Sequence, residues 1–187
     1  MKLIIASDLH GSLAYVETLF TRIAEECPDR IVLLGDLLYH GPRNPLPEGY
    51  APKLVAEKLN GEAERIIAVR GNCDAEVDQM VLDFPCMADY AHVLLDGTTL
   101  FFTHGHVFAP SDVSTTHDAK LTLPEGSFFF SGHTHVKVIE ERDGIVFVNP
   151  GSVSIPKDDC ASYCIVDDEA ITLHELKTGR VIAAHAR

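Results

Sequence analysis

The chain has 187 residues, 46% of them hydrophobic and 23% charged, and its formal net charge is −13. This composition is ordinary for a globular protein that can bury a core, and it excludes low-complexity and collagen-like chains. The acidic balance argues against a general nucleic-acid-binding surface, because affinity for a polyanion depends mainly on Lys and Arg at phosphates.

The first half of the chain alternates apolar, strand-like runs with segments of helical period. Residues 2–6, 30–34 and 65–69 are typical of strands buried on both faces. Apolar positions at helical spacing predict a helix over residues 13–26, and a proline at its start favours a second helix over residues 52–60. This strand–helix–strand order predicts parallel pairing with right-handed crossovers.

Short strands joined by tight turns characterise the second half. Strands are predicted over residues 92–95, 98–103, 127–130, 137–141, 145–148, 161–166 and 170–176. Asp96-Gly97 and Asp143-Gly144 are strong hairpin signals, whereas residues 108–126 are expected to form a loop with about one helical turn. No repeat or linker interrupts this order, so we predict one domain over residues 1–187, with an α/β half and a β-rich half.

Potential metal ligands follow the predicted strands. They are Asp8, His10, Asp36, Asn72, His104, His133 and His135. Open α/β sheets build their sites at the carboxyl ends of strands. His133 and His135 alternate in an extended segment, so both imidazoles can point into one pocket. Carboxylate, amide and imidazole ligands together suit Mn²⁺, Fe²⁺ or Zn²⁺.

Seven ligands are too many for one ion but suit two ions that share a bridging carboxylate. Two ions roughly 3.5–4 Å apart can clamp a phosphoryl group and activate the water between them. Taken singly, Asp8, Asp36 and Asp74 could instead cap helices. Asn72 could be a turn residue, and His104 a hydrogen-bonded core histidine. The combination favours metal binding, because the motifs support one another through their structural context.

Five short motifs resemble those of the calcineurin-like metallophosphoesterases. They are Asp8-x-His10, Gly35-Asp36, Gly71-Asn72-Cys73-Asp74, His104-Gly105-His106 and Gly132-His133-Thr134-His135. Together with Asn149-Pro150-Gly151-Ser152 and the short length, they are most similar to the small bacterial YfcE-type phosphodiesterases. The resemblance implies a mixed α/β fold, built as a four-layer α/β/β/α sandwich of two facing mixed sheets.

The resemblance also implies a binuclear metal site and a reaction. The implied ligands are Asp8, His10 and His135 for one ion, Asn72, His104 and His133 for the other, and Asp36 between the two. Mn²⁺ is the expected metal, with Fe²⁺, Zn²⁺ or Ni²⁺ as alternatives. A hydroxide that bridges the ions would attack a small phosphodiester, so the chain is expected to be a phosphoric diester hydrolase. The candidate catalytic residues are Asp36, Asn72, Cys73, Asp74 and His106.

Cys73 departs from the wider family, in which many members have histidine directly after the asparagine. A histidine there could protonate a leaving group, a contribution typically worth about 10²–10⁴-fold, whereas a thiol is a poor substitute. Cysteine is also smaller and leaves room for a second ester substituent. We therefore expect aryl phosphodiesters to be preferred over the matching monoesters. Alternatively, Cys73 packs under the loop as a small buried hydrophobe.

The loop over residues 39–50 leaves the strand end that carries Asp36, so it is expected to form one wall of the substrate pocket. Candidate substrate contacts are His40, Arg43 and Cys73, with His40 favoured. The loop could instead be a stiff surface connector, because its prolines limit its conformations.

One further histidine and one further arginine each have two possible roles. His106, like the loop histidine above, could contact substrate or simply be exposed to solvent. Arg70 could bind phosphate or form a structural ion pair.

Other functions fit the same fold. A non-catalytic binding scaffold is disfavoured because no ligand position is missing. A phosphomonoesterase, protein phosphatase or nuclease of the superfamily is a further alternative, although those that hold macromolecules usually carry extra domains. With no apolar run near the roughly 20 residues that span a bilayer and no secretory signal pattern, we expect a cytoplasmic protein without membrane association. Homo-oligomerisation is left open.

Overall fold

The secondary structure consists mainly of short strands, and the structure, a computed structural model, describes all residues Met1–Arg187. The α-helices are α1 (Leu13–Glu26), α2 (Pro52–Asn60) and α3 (Glu76–Gln79). The strands are β1 (Leu3–Ala6), β2 (Arg30–Leu33), β3 (Ile66–Ala68), β4 (Tyr90–Leu95), β5 (Thr98–Thr103), β6 (Val113–Ser114), β7 (Leu121–Thr122), β8 (Phe128–Phe130), β9 (Lys137–Arg142), β10 (Ile145–Pro150), β11 (Ser162–Val166), β12 (Ala170–Glu175) and β13 (Val181–Ala186). Two short 3-10 helices span Ala63–Arg65 and Pro110–Asp112.

Two mixed sheets form the framework. The first has the order β13-β12-β11-β1-β2-β3, and the second has the order β4-β5-β8-β10-β9. Strands β1, β2 and β3 are parallel, with α1 and α2 in the two crossovers, while β11 pairs antiparallel with β1. In the second sheet β5, β8 and β10 are parallel. The predicted parallel β-α-β start and the hairpin-rich second half are confirmed.

Helix α1 shows how local sequence signals set the boundaries of an element. The Ser12 side chain accepts a hydrogen bond from the helix N-terminus, which satisfies one of the free amides there. At the other end Cys27 adopts a left-handed conformation with a φ of 48°, one residue before Pro28. The helix buries one face, which consists of Val16, Leu19 and Ile23. That spacing is the amphipathic pattern that directs a helix onto a sheet.

Three apolar clusters separate the layers. Alternate residues of β1 point in opposite directions, so Ile4 packs under the helices while Leu3 and Ile5 pack against the second sheet. The cluster between the sheets is completed by aromatic residues such as Phe102 and Phe130, whose rings stack 5.0 Å apart. The two facing mixed sheets of the predicted fold are thus present.

The outer face of the second sheet is covered by loop structure rather than by an α-helix. A smaller apolar cluster, which includes Phe101, Phe129 and Phe147, packs there against Val113 and Leu123. The covering segment contains the 3-10 helix and the two-stranded sheet of β6 and β7, which the sequence interpretation of a loop with one helical turn did not include. The edge strand β13 and the short helix α3 were also not predicted.

No helix in the structure is both long and apolar enough to cross a membrane. All five cysteines are free. Two of them, Cys86 and Cys164, are buried, whereas Cys27 is exposed.

A pair of leucines on neighbouring strands allows a test of the core between the sheets. Leu100 is fully buried there, whereas Leu94 on the adjacent strand is 74% exposed. Replacing Leu100 by alanine should lower the free energy of unfolding by about 2–5 kcal/mol, because it removes buried methyl groups and leaves a cavity. Leu94→Ala should change it by less than about 0.5 kcal/mol. Urea unfolding measures both, and similar losses in the two variants would contradict this packing.

Candidate metal centre

The potential metal ligands lie where strands of both sheets end. They are Asp8 and His10 after β1, Asp36 after β2, Asn72 after β3, His104 after β5, and His133 and His135 after β8. Because the strands concerned are parallel within each sheet, their carboxyl ends share one edge. The fold therefore brings together side chains as far apart in the chain as His10 and His135, whose Nε2 atoms are 3.3 Å apart.

Five of these residues adopt left-handed backbone conformations that non-glycine residues rarely use. Their φ angles are 57° for Asp8, 48° for His10, 53° for Asp36, 66° for His133 and 62° for His135. Such conformations cost about 1–3 kcal/mol each and concentrate at functional sites, where the surrounding structure holds them. The sharp turns redirect the chain at the strand ends, so the ligands share one pocket.

Two glycines at the site are required by close approach. A Cβ atom at Gly71 would collide with Oδ1 of Asp36, and one at Gly132 would collide with the hydroxyl of Ser7. The predicted Gly71-Asn72 and Gly132-His133 motifs therefore reflect packing against the site.

Backbone carbonyls orient three of the imidazoles. The Nδ1 atoms of His10, His104 and His135 lie 2.9, 2.7 and 2.6 Å from carbonyl oxygens. A carbonyl can only accept a hydrogen bond, so each Nδ1 carries the proton and donates it. Each Nε2 is then left with a free lone pair that faces the pocket. Metal-ligating histidines are commonly held in this way.

The first group of ligands contains acceptors that cannot satisfy one another. Oδ1 of Asp8 lies 3.2 Å from Nε2 of His135 and 3.7 Å from Nε2 of His10. When both imidazoles are neutral, with their protons on Nδ1, these three atoms have only lone pairs to offer, and the two imidazole nitrogens face each other. A cation among them removes this conflict, which is the chemistry expected of a metal site.

The second group is arranged around Asp36 and His104. Oδ2 of Asp36 lies 3.5 Å from Nε2 of His104 and 3.8 Å from Nε2 of His10, so this carboxylate stands between the two groups. Oδ1 of Asn72 is 3.1 Å from Nε2 of His104, and the ring of His133 is 5.1 Å from the ring of His104. These positions fit a second cation beside the first.

The Asp8 carboxylate supplies the strongest indication that the site can bind a cation. Its Oδ2 accepts hydrogen bonds from Ser7 and from the amide of His133, whereas Oδ1 is fully buried without a partner. Burial alone would raise the pKa of this carboxyl, but His104 and His135 beside it hold the pKa well below its ordinary value. An ionised, buried and unpaired oxygen is costly unless a cation binds it.

Burial also affects the imidazoles. It lowers the pKa of His10 and of His133, which favours the neutral form that binds metals. Burial acts in the same direction on His135, but the contact with the Asp8 carboxylate outweighs it and raises the pKa. The chemistry of the donor set therefore fits divalent metal ions.

Comparisons with known proteins agree with this geometry. Residues 1–170 match the calcineurin-like phosphoesterase superfamily domain. The chain belongs to that superfamily. It is 48% identical to phosphodiesterase YfcE of Escherichia coli strain K12, over 98% of this chain and 96% of that protein. The solved structure of the E. coli YfcE phosphoesterase superposes with a TM-score of 0.93 at 47% identity, covering 100% of this chain and 99% of that one.

A more distant relative is phosphodiesterase MJ0936 of Methanocaldococcus jannaschii, which is 25% identical over 81% of this chain and 83% of that protein. The predicted family, the fold and the assignment to the phosphoesterases are confirmed. A calcineurin-like phosphoesterase fold implies divalent metal ions, and the buried groups of candidate ligands are in place to hold them.

The Asp74 carboxylate accepts hydrogen bonds from backbone amides next to the candidate metal ligands. Its Oδ2 accepts hydrogen bonds from the amides of Asp36 and Gly71 at 2.8 and 2.7 Å, and its Oδ1 accepts one from the amide of Leu37 at 2.8 Å. Burial raises its pKa to about 6, although the three amide donors act in the opposite direction. Both oxygens are occupied by the backbone, so Asp74 is placed as a positioning residue that fixes the turns around Asp36 and Asn72.

Residues of the Asn149-Pro150-Gly151-Ser152 motif hold the ligand loops. The Asn149 side chain donates to the carbonyl of Gly132 and to the hydroxyl of Thr134. The hydroxyls of Ser152 and Ser154 both donate to the carbonyl of Asp8. The sequence carried no signal for Ser154 or for Ser7, because a serine acquires such a role only through tertiary contacts.

The pocket over the ligands has a volume of about 890 Å³ and is lined in part by the loop over residues 39–50. Arg43 of this loop lines the pocket, and so does Lys157, which the sequence interpretation did not single out. His40 does not line it, because its ring lies between Tyr39 and Tyr50, with centroids 4.8 and 5.3 Å away. The structure thus supports the wall formed by the loop but not the favoured contact within it.

Of the remaining candidate residues, Cys73 lines the pocket, whereas His106 and Arg70 do not. Cys73 lines the pocket, its amide donates to Oδ1 of Asp36 at 2.7 Å, and burial together with Asp36 raises its thiol pKa to about 12. His106 does not line the pocket, and its ring lies 5.3 Å from that of His104. Arg70 forms an ion pair with Asp89 at 2.6 Å, which is the structural alternative considered for it.

The role of Asp74 can be tested with an isosteric change. Asp74→Asn puts an amide group against at least one backbone N–H, and leaving one buried donor unsatisfied costs about 1–3 kcal/mol. The ligand turns should also loosen, and loss of an outer-shell partner typically weakens metal affinity by about 10–100-fold. The matched control is Asp83→Asn, because that side chain is exposed. Urea unfolding of chelated protein and calorimetric Mn²⁺ titration measure the two effects. Unchanged metal affinity in Asp74→Asn would argue against the positioning role.

Proposed function

We propose that residues 1–187 form one metallophosphoesterase domain that hydrolyses small phosphodiesters with two divalent metal ions. The observation that carries this proposal is the convergence of free imidazole lone pairs on the unpaired, buried Oδ1 of Asp8. Phosphodiester substrates are also supported by the likeness to the phosphodiesterase YfcE, which matches nearly all of this chain.

The ligands of the first ion would be Asp8, His10 and His135, and those of the second Asn72, His104 and His133, with Asp36 in both sets. When bound, two such ions supply a nucleophilic hydroxide and offset the charge that develops on the phosphoryl oxygens. Mn²⁺ is the proposed metal, because mixed oxygen and imidazole donors suit it. Fe²⁺, Zn²⁺ and Ni²⁺ are the alternatives.

The chain's own residues would hold the substrate. Arg43 and Lys157 are exposed cations on the wall of the pocket, opposite an otherwise acidic site. Their charges can bind the phosphodiester anion as it enters, and the guanidinium can do so with two parallel hydrogen bonds. An acidic chain of net charge −13 needs such local cations, since its overall field repels anions.

Cys73 sets the proposed preference between diesters and monoesters. Its side chain lines the pocket where it offers neither a second charge nor an effective proton donor. A diester with a good leaving group needs little protonation and fits beside a small side chain. His106 would act through its contact with His104 rather than on the substrate. A non-catalytic scaffold has no observation in its favour, because all seven ligand positions are filled.

The cytoplasmic location and any homo-oligomeric assembly stay predictions.

The metal requirement can be tested at the shared ligand. Asp36→Asn keeps an oxygen that can accept from Cys73 but replaces the oxygen that faces His10 and His104 with an amide group. We expect metal content to fall and Mn²⁺-restored hydrolysis of bis(p-nitrophenyl) phosphate to fall by more than the roughly 10–100-fold typical of outer-shell partners. Chelated wild-type protein should regain activity with Mn²⁺.

The control for this change is Asp118→Asn, an exposed carboxylate in the segment over the second sheet. Elemental analysis and steady-state kinetics are run on both variants. Normal turnover and metal content in Asp36→Asn would contradict the two-metal proposal.

The selectivity role of Cys73 predicts a change of ratio rather than a simple loss. Cys73→His restores a proton donor beside the leaving group, so kcat/KM for p-nitrophenyl phosphate should rise relative to that for bis(p-nitrophenyl) phosphate, with metal content retained. The general-acid contribution available is about 10²–10⁴-fold, which sets the upper range of the change. Cys160→His is the control, since Cys160 is also half-buried but lines a different cavity. An unchanged ratio would leave Cys73 as a packing residue.

A further inference from the structure

A second cavity, of about 710 Å³, lies beside the metal pocket between α2 and α3. Apolar side chains form most of its lining, including Leu38, Pro52, Ala56, Val77 and Val81. Small-molecule sites commonly have volumes of about 300–1,000 Å³ and mostly apolar walls. The cavity therefore has the size and chemistry of a binding site for an apolar group.

The two cavities are contiguous. Tyr39, Cys73 and Ala75 line both of them. Cys73 also links the second cavity to the metal centre, because its amide donates to Oδ1 of Asp36 at 2.7 Å. A group in the second cavity thus lies one side chain away from a carboxylate of the metal centre.

Three features favour an apolar or aromatic occupant that enters from solvent. Val77 and Val81 are 62% and 50% exposed at the opening, so a ligand can reach the interior without a rearrangement of the core. The ring of Tyr39 stands at the junction, where it can pack against another ring. The carboxylate of Asp78 on the lining is turned back to the amide of Ala75, with a distance of 2.8 Å, which keeps its charge occupied.

We propose that this cavity binds one ester substituent of the substrate, an aryl group or an apolar group of similar bulk, while the phosphoryl group occupies the metal pocket. This inference rests on the proposed function and narrows it to phosphodiesters that carry such a group. The side chain of Cys73, which lines both cavities, is small, so a substituent can extend past it from one cavity to the other. Substrates with only small polar substituents would leave the cavity empty and bind less tightly.

Phenylphosphonate and methylphosphonate are suitable probes, because their P–C bonds are not hydrolysed and they differ only in the substituent. Isothermal titration calorimetry on Mn²⁺-loaded wild-type protein should show at least about tenfold tighter binding of phenylphosphonate, since even one methylene in an apolar pocket is worth about 10–200-fold. Direct binding separates this inference from the proposed function, which would fail through loss of diester hydrolysis.

The variants Val81→Asp and Val77→Asp place a charge at the opening. Both side chains are exposed, so folding should be little affected. Either variant should reduce the phenyl-to-methyl affinity ratio severalfold and leave methylphosphonate binding unchanged. Val181→Asp is the matched control, because Val181 is 51% exposed on the distant edge strand β13.

Either of two results would overturn the proposal: an affinity ratio near one in the wild type, or the same ratio in the wild type and in both opening variants. If the ratio is near one, sedimentation velocity of the wild type and of Val81→Asp tests a second occupant. A wild-type dimer that the variant converts to monomer would assign the opening, with its exposed neighbours Leu54 and Met80, to a second copy of the chain.

Discussion

A cluster of buried hydrogen-bond acceptors determines the organisation of this protein. The cluster contains Oδ1 of Asp8, Oδ2 of Asp36 and the Nε2 atoms of His10, His104 and His135. Each of these Nε2 atoms lies 3.2–3.8 Å from one of the two carboxylate oxygens. Oδ1 of Asp8 has no hydrogen-bond donor. Buried charge of this kind is unfavourable unless a cation compensates it. The structure maintains the cluster because backbone carbonyls direct the Nδ1–H groups of these histidines away from the centre. The fold is thereby prepared for divalent ions before they bind.

The two facing sheets explain how such a cluster can be held. Each strand end contributes one or two ligands, and the left-handed turns at Asp8, Asp36 and His133 cost energy that an isolated loop could not sustain. The apolar cluster between the sheets offsets that cost, because it fixes the distance between the strand ends. Asp74 and Asn149 then restrain the turns with hydrogen bonds to backbone groups. The favourable free energy of packing in the core thus offsets the conformational cost of the left-handed turns that carry the proposed ligands.

The sequence predicts the elements with a strong period and the residues with distinctive chemistry. The strands β1 and β2, the helix α1 and the Asp-Gly hairpins were predicted to within a few residues, because their apolar patterns and turn residues are local signals. Strand β13 was not predicted, since Val181–Ala186 is rich in alanine, half-exposed at a sheet edge and weak in β-propensity. The ligands were predicted from motifs, whereas Lys157, Ser154 and the backbone contacts of Asp74 depend on tertiary structure. His40 shows the same limit, because its position between two tyrosines could not be read from the loop.

In the proposed function, Cys73 would connect the chemistry of the metal centre with the choice of substrate. Its backbone belongs to the site through Asp36, while its side chain belongs to the wall between the metal pocket and the apolar cavity. A histidine at this position would add a proton donor and would also narrow the passage between the cavities. The two effects act in the same direction, since a monoester needs the donor and a bulky diester needs the space. We therefore expect this one side chain to shift the balance between monoester and diester hydrolysis without any change in the proposed metal ligands.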